Sequence, residues 1–145
     1  FCIGCSSPGC NEENITSIEL TPTNNITLND VPITKENYYI SSISDWRNLT
    51  GSETITPNIN FDETALIIAS LGNVTGENIE VEQVQYFSSF GLLINIKQTR
   101  PGQGCVVPQV IENIIKTYLI SKQSLPTSFS TAPYFSHITE TVDCE

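Results

Sequence analysis

Apolar positions in this chain recur mostly with a period of two, the spacing of strands that bury one face. Ile18 and Leu20 share a face within Ile15–Leu20, and Ile26 and Leu28 repeat the pattern within Ile26–Val31 after the turn-like Thr21-Pro22-Thr23-Asn24. Thr64 to Leu71 is nearly continuous in apolar residues, as expected for a strand covered on both sides. Ile79 and Val81 alternate with Glu80 and Glu82, the run continues to Phe87, and Ser88-Ser89-Phe90-Gly91 turns it back as Leu92, Ile94 and Ile96 between polar neighbours. That is a hairpin with one wet face. Val106-Val107, Ile114 to Ile120, Phe129 and Ile138 to Val142 read as further short strands, although Ile111, Ile114 and Ile115 also suit one helical turn.

One helix interrupts the pattern. Tyr38-Tyr39-Ile40 opens the compact part, Ser41 or Ser44 is placed to cap a short helix through Asp45–Leu49, and Gly51 stops it. Pro101-Gly102-Gln103-Gly104 is a turn, and Pro108, Pro126 and Pro133 mark edges and loops. The sum is a mainly β chain: a β-sandwich with one short helix and an extended N-terminal arm. We divide it into an arm, residues 1–32, and a β-rich domain, residues 33–145. At 145 residues one such domain buries about 68–70% of its unfolded surface.

Charge narrows the partners. Six Lys and Arg against sixteen Asp and Glu leave a net −10, so the chain has no means of neutralising a run of phosphates or adhering to an anionic bilayer. Its longest apolar runs, such as Ala65 to Ala69, are far short of the roughly 20 residues that span a membrane. The chain opens at Phe1 and contains no Met, which reads as processing of a longer precursor. Ile3-Gly4-Cys5-Ser6 is similar to the end of a lipoprotein signal, but acylation at Cys5 would have removed residues 1–4, so no lipid anchor is expected.

The five cysteines, with one histidine, fit disulfides in an oxidising compartment better than a metal site. Cys105 and Cys144 are the expected intradomain pair; closing that loop of about 40 residues stabilises a fold by roughly 4 kcal/mol. Cys2, Cys5 and Cys10 are left for disulfides or crosslinks between subunits, with one thiol over. Four N-x-T triplets, at Asn14, Asn25, Asn48 and Asn73, are candidate glycosylation sites in an extracellular chain.

Catalytic chemistry finds no support. His137 sits near Tyr134 and Phe135 with no nucleophile elbow in the chain, and reads as a partly buried strand histidine. Glu12-Glu13, Asp62-Glu63 and Glu80/Glu82 lack the spacing of a calcium loop and read as solvated surface. No enzyme activity, metal or cofactor is expected, apart from covalent N-linked glycans.

From about Ile40 onward the order of motifs resembles the PrcB-like family, named for a protease-stability complex. The resemblance rests on Ser44-Asp45-Trp46, Ile59-Asn60-Phe61, Ala65 to Gly72, Thr75-Gly76 followed by Ile79-Glu80-Val81, and Leu92 to Gln98. The signature is Pro101-Gly102-Gln103-Gly104-Cys105 running into Val107-Pro108-Gln109-Val110, and Glu140 to Cys144 fits the last strand. The chain departs from the pattern at Glu77-Asn78 and at Glu112 to Ile115. The resemblance implies an extracytoplasmic binding or assembly domain with no catalytic residues.

The arm lies outside that resemblance. Isolated strands need a sheet edge to satisfy their amides. Ile15, Ile18, Leu20, Ile26 and Leu28 are therefore expected to insert into a neighbouring copy, by donor-strand complementation. Such a contact does not close on itself and builds a fibre. The leading expectation is an extracellular or cell-surface filament subunit whose partners are other copies of itself. The alternative is a monomeric secreted or surface-anchored module that stabilises a partner protein such as a protease.

Overall fold

The computed structural model describes residues 15–29, 31–32, 34–107, 109–125 and 132–144. Eight strands and one α-helix run in the order β1 (Ile15–Ile18), β2 (Leu20–Thr23), β3 (Lys35–Ile40), α1 (Ile43–Thr50), β4 (Thr64–Val74), β5 (Asn78–Phe87), β6 (Gly91–Pro101), β7 (Glu112–Ser121) and β8 (Tyr134–Val142). They form two four-stranded sheets, ordered β1-β5-β6-β8 and β2-β7-β4-β3. All pairings are antiparallel except β6 with β8, which is parallel. The expected β-sandwich is the observed architecture, and Glu112–Ser121 is a strand, not a helical turn.

Alternation explains why the sheets stack. Ile79, Val81 and Val84 of β5 and Leu92, Ile94 and Ile96 of β6 point one way, and meet Ala65, Ile67, Ala69 and Leu71 of β4 with Tyr118 and Ile120 of β7. The intervening residues of β4 point the other way. Leu66 and Ile68 join Ile26, Val31, Ile40, Trp46 and Ile55 in a second core beneath α1 and the loops around it. β4 is thus covered on both faces, which is why its sequence shows an unbroken apolar run. The tyrosine hydroxyl of Tyr118 ties the two sheets together by accepting a hydrogen bond from the Val81 N–H (3.1 Å), beside a register shift in β5.

Helix α1 is capped at both ends. Its N-cap is Ser42, between the two candidates Ser41 and Ser44, and the Ser42 hydroxyl accepts from the Asp45 N–H (3.1 Å). Asp45 in turn accepts from the Ser41 N–H (3.0 Å) and hydroxyl (3.1 Å), so Ser41 holds the carboxylate and does not cap the helix. Gly51 ends the helix in the left-handed region, with φ of 79°, donating its N–H to the Arg47 carbonyl. The Trp46 indole is buried and donates to the Thr54 carbonyl (2.8 Å).

The N-terminal segment corrects the expected division of the chain. β1 pairs with β5, Ile15 opposite Phe87 and Ile18 opposite Val84. Glu19 then carries the chain across to the other sheet, where β2 pairs with β7, Leu20 opposite Ile120. Pro22 is tolerated there because β2 is an edge strand. Ile18 lies in the central core, Leu20 packs against it, and Ile26 and Leu28 belong to the second core, Ile26 buried and Leu28 partly so. β1 and β2 each form a ladder with a strand of the same chain, because the two short strands find edges on both sheets of their own sandwich. The described residues of 15–32 pack with the domain in this structure, where the sequence led us to expect a boundary at residue 32 and an intersubunit arm made of Ile15, Ile18, Leu20, Ile26 and Leu28. The expected strand at Ile26–Val31 is an irregular turn whose buried side chains plug the second core.

Candidate binding surface

The region around the single described disulfide is built from the turn that follows β6. The Gly102 N–H donates to the Val142 carbonyl (2.8 Å), the Cys144 N–H to the Gln103 carbonyl (2.7 Å), and the Gln103 N–H to the Asp143 carboxylate (2.8 Å). A side chain at residue 102 would meet Asp143 Oδ1 at 2.1 Å and Thr141 Cγ2 at 2.9 Å, so glycine is what lets the turn lie against the end of β8. Cys105 and Cys144 then bond, with Cα atoms 4.7 Å apart and a sequence separation of 39, as expected.

Beyond Cys105 the chain leaves the sandwich. Val106 is 96% exposed and Val107, Val110 and Ile111 are also exposed, before the chain re-enters the sheet at Glu112. The strand expected at Val106-Val107 does not form: both residues lie outside the two sheets. From Gly102 to Ile111 the sequence has no charged residue, in a chain of net charge −10. Four branched aliphatic side chains thus project from a short span pinned at one end by a disulfide and at the other by β7. Full burial of one such side chain against a partner is worth about 1.5–3 kcal/mol. Contiguous apolar exposure of this kind marks interaction sites.

A second exposed apolar region lies on the outer face of the sheet β1-β5-β6-β8. The Phe87 and Phe90 rings stack with centroids 4.6 Å apart, and Phe90 meets Tyr134 edge-on at 5.5 Å. Ile15 pairs opposite Phe87, and Ile138 and Val142 continue the stripe along β8.

Polar chemistry is concentrated at the open side of the sandwich. Gln98, buried, donates through Nε2 to the Glu77 carboxylate (2.6 Å), which also receives Arg100 Nε (3.0 Å). The Gln98 carbonyl is therefore free to accept from His137 Nε2 (2.9 Å), which places the imidazole proton on that nitrogen. Partial burial, followed by the nearby Lys35 charge, holds His137 below the usual histidine range. His137 is a strand residue as expected, and more exposed than the partial burial read from its neighbours. This arrangement joins a cation, a carboxylate, an amide and an imidazole without a nucleophile at hydrogen-bonding distance. Among the described residues no three His, Cys, Asp or Glu side chains stand close enough to hold a metal ion.

Two clefts open on the surface among the described residues. One of about 580 Å³ runs between β2 and β5, lined by Leu20, Thr23, Ile26, Glu80 and Tyr118. The other, of about 770 Å³, lies beside Ser42, Asn60 and Asp62, where the Lys122 ammonium donates to the carbonyls of Ser41 (2.6 Å) and Phe61. With its hydrogen bonds directed to the backbone, Lys122 acts as a strut between α1 and β4.

Asn25, Asn48 and Asn73 are exposed, each on a loop or at the end of an element; Asn14, Cys2, Cys5, Cys10 and Phe129 lie outside the described residues. Among the described residues no helix is long and apolar enough to cross a membrane. The loop Val106–Ile111 was not legible as exposed because its aliphatic run mimics a strand; the signal was its lack of any polar alternation between Gly104 and Glu112. No family model, curated protein or solved structure matches the chain.

Proposed function

We propose that this chain is an extracytoplasmic β-sandwich binding module that seats a partner protein against its Val106–Ile111 loop. The observation that carries this reading is the set of four exposed aliphatic side chains fixed beside the Cys105–Cys144 disulfide. A disulfide of this kind persists in oxidising compartments, which supports a secreted or surface location. Because the loop carries no charge while the rest of the molecule is acidic, the partner contributes an apolar recess with a neutral or basic rim. The resemblance of the chain to an extracytoplasmic assembly domain favours the same class of role. N-linked glycans at Asn25, Asn48 and Asn73 fit this reading, since all three are accessible and none adjoins the loop in sequence. The filament reading drew on strands without partners; with β1 and β2 paired inside the chain, that ground is gone.

A photo-crosslinking residue at Val106, compared with one at exposed Thr16, tests the proposal in the cells that make the protein. The expected result is one discrete heterologous adduct from position 106, abolished by Val110→Asp with Ile111→Asp. Equal labelling from both positions, or none from position 106, overturns it.

A further inference from the structure

Among the described residues the two sheets have four edges, and three are guarded. β1 and β2 are four residues long, and β2 contains Pro22; β3 is six residues long and opens with Lys35-Glu36. Short strands, proline and charge are the ordinary means of keeping an edge from pairing with another chain. β8 is neither short nor interrupted by proline, and its one carboxylate, Glu140, is paired with Lys97 of its own sheet. It runs nine residues without a lysine, proline or bulge, and lies at the end of its sheet with only β6 as neighbour among the described residues.

Hydrogen bonds fix which way its backbone faces. The Val142 carbonyl accepts from Gly102 and the Cys144 N–H donates to Gln103, both on the β6 side. Backbone groups of successive strand residues point to opposite sides, so Phe135, His137, Thr139 and Thr141 aim their N–H and C=O groups outward. On the outer face of the same strand stand Tyr134, Ile138 and Val142, all exposed, Ile138 by 62%.

We infer that β8 pairs antiparallel with β8 of a second copy about a two-fold axis at Ile138, joining the two four-stranded sheets into one. The strand is symmetric about that residue. Ile138 faces its own counterpart, Tyr134 faces Val142, and Ser136 faces Glu140, so on the outer face apolar meets apolar and polar meets polar. In the same register His137 exchanges hydrogen bonds with Thr139 and Phe135 with Thr141, which satisfies every outward amide of the strand. Shifting by two residues breaks the apolar match and shortens the overlap. The charge nearest the axis does not oppose the contact, because Glu140 is already paired with Lys97 of its own chain at 3.2 Å. This is an isologous, closed contact that yields a dimer and stops. It uses a different surface from the partner loop, so Val110→Asp leaves it intact.

Sedimentation of the full chain over about 5–500 μM is the test, with the dimer expected to form within that range as an edge contact of modest area. Ile138→Lys and Thr139→Pro are expected to leave a 16.0 kDa species at every concentration, with the unfolding temperature of Ile138→Lys equal to that of the wild type at dilutions where both are monomeric, because its side chain is exposed. Ile138→Cys is expected to oxidise to a 138–138 crosslink, as directly opposed residues of a non-hydrogen-bonded pair sit at disulfide distance. A wild-type chain that stays monomeric throughout, a dimer insensitive to Ile138→Lys, or the absence of the 138–138 bond overturns the inference, and the first of these leaves the edge to a strand of another protein.

Discussion

Replacing Ile18 by alanine measures how firmly the N-terminal strand belongs to its own sandwich. Ile18 is 5% exposed, opposite Val84, in a core shared with Ile67, Ile94 and Tyr118. The substitution removes three carbon atoms from that core, worth about 2.5 kcal/mol at ~0.8 kcal/mol each. Incomplete collapse around the missing volume adds about 0.5–1 kcal/mol, giving roughly 3 kcal/mol, within the range seen for such truncations. Urea unfolding reports the loss directly, because Trp46 is the chain's one tryptophan and is buried in the second core. With a denaturant slope of about 2 kcal/mol/M, the midpoint falls by about 1.5 M. Ile15→Ala is the control: Ile15 is 48% exposed on the outer face, and its midpoint moves by less than about 0.3 M. In the Ile138→Lys background, which removes the β8 contact between copies, the midpoint is independent of protein concentration if the strand is supplied by the same chain. An unchanged midpoint for Ile18→Ala, or a midpoint in the Ile138→Lys background that falls on dilution, refutes the reasoning.

Tyr118→Phe leaves the Val81 N–H without its acceptor between the sheets and is expected to lower stability by about 1–3 kcal/mol in the same unfolding assay; no loss would mean that the bond contributes nothing. Replacing Cys105 and Cys144 together by serine releases a 39-residue separation, costing about 4 kcal/mol, or about 8–16 °C in a thermal melt, and a smaller shift would place the stabilisation elsewhere. His137 is held below its ordinary pKa of 6.5, so the unfolded chain takes up its proton more readily than the folded one. Stability from this group is complete above pH 6.5 and declines as pH falls through the folded value; His137→Gln is expected to flatten the fall in unfolding temperature between about pH 7 and 5, and an equal fall in both proteins contradicts the shift.

The sequence carried the sandwich because strand periodicity is a local property. The doubly covered run Thr64–Leu71 and the alternating arms around Ser88–Gly91 fold as their patterns require. Partner choice is not local. Nothing in Ile15–Leu20 says whether its edge belongs to the same chain or the next, and only the crossing at Glu19, from one sheet to the other, settles it. The helix cap was off by one position because three serines, Ser41, Ser42 and Ser44, compete for it; Asp45 decides by accepting from Ser41 and donating to Ser42. At the binding loop, Val106 and Val107 share the composition of a buried strand, and their exposure follows from the Cys105–Cys144 bond and the close approach at Gly102. Those are contacts between segments some 40 residues apart. Nor did spacing alone show that β8 would run parallel to β6 and leave a long bare edge.

The account stands on β1 being paired within its own chain, and cysteine pairs test this most directly. Ser17 lies opposite Gln85 in the β1–β5 ladder. A chain carrying both Ser17→Cys and Gln85→Cys should close an intrachain bond and keep the monomer mass under denaturing, non-reducing conditions, with the 17–85 link identified by peptide mapping. An equimolar mixture of the two single variants should give no 17–85 link. Formation of that bond between chains in the mixture would contradict the account and restore the donated arm.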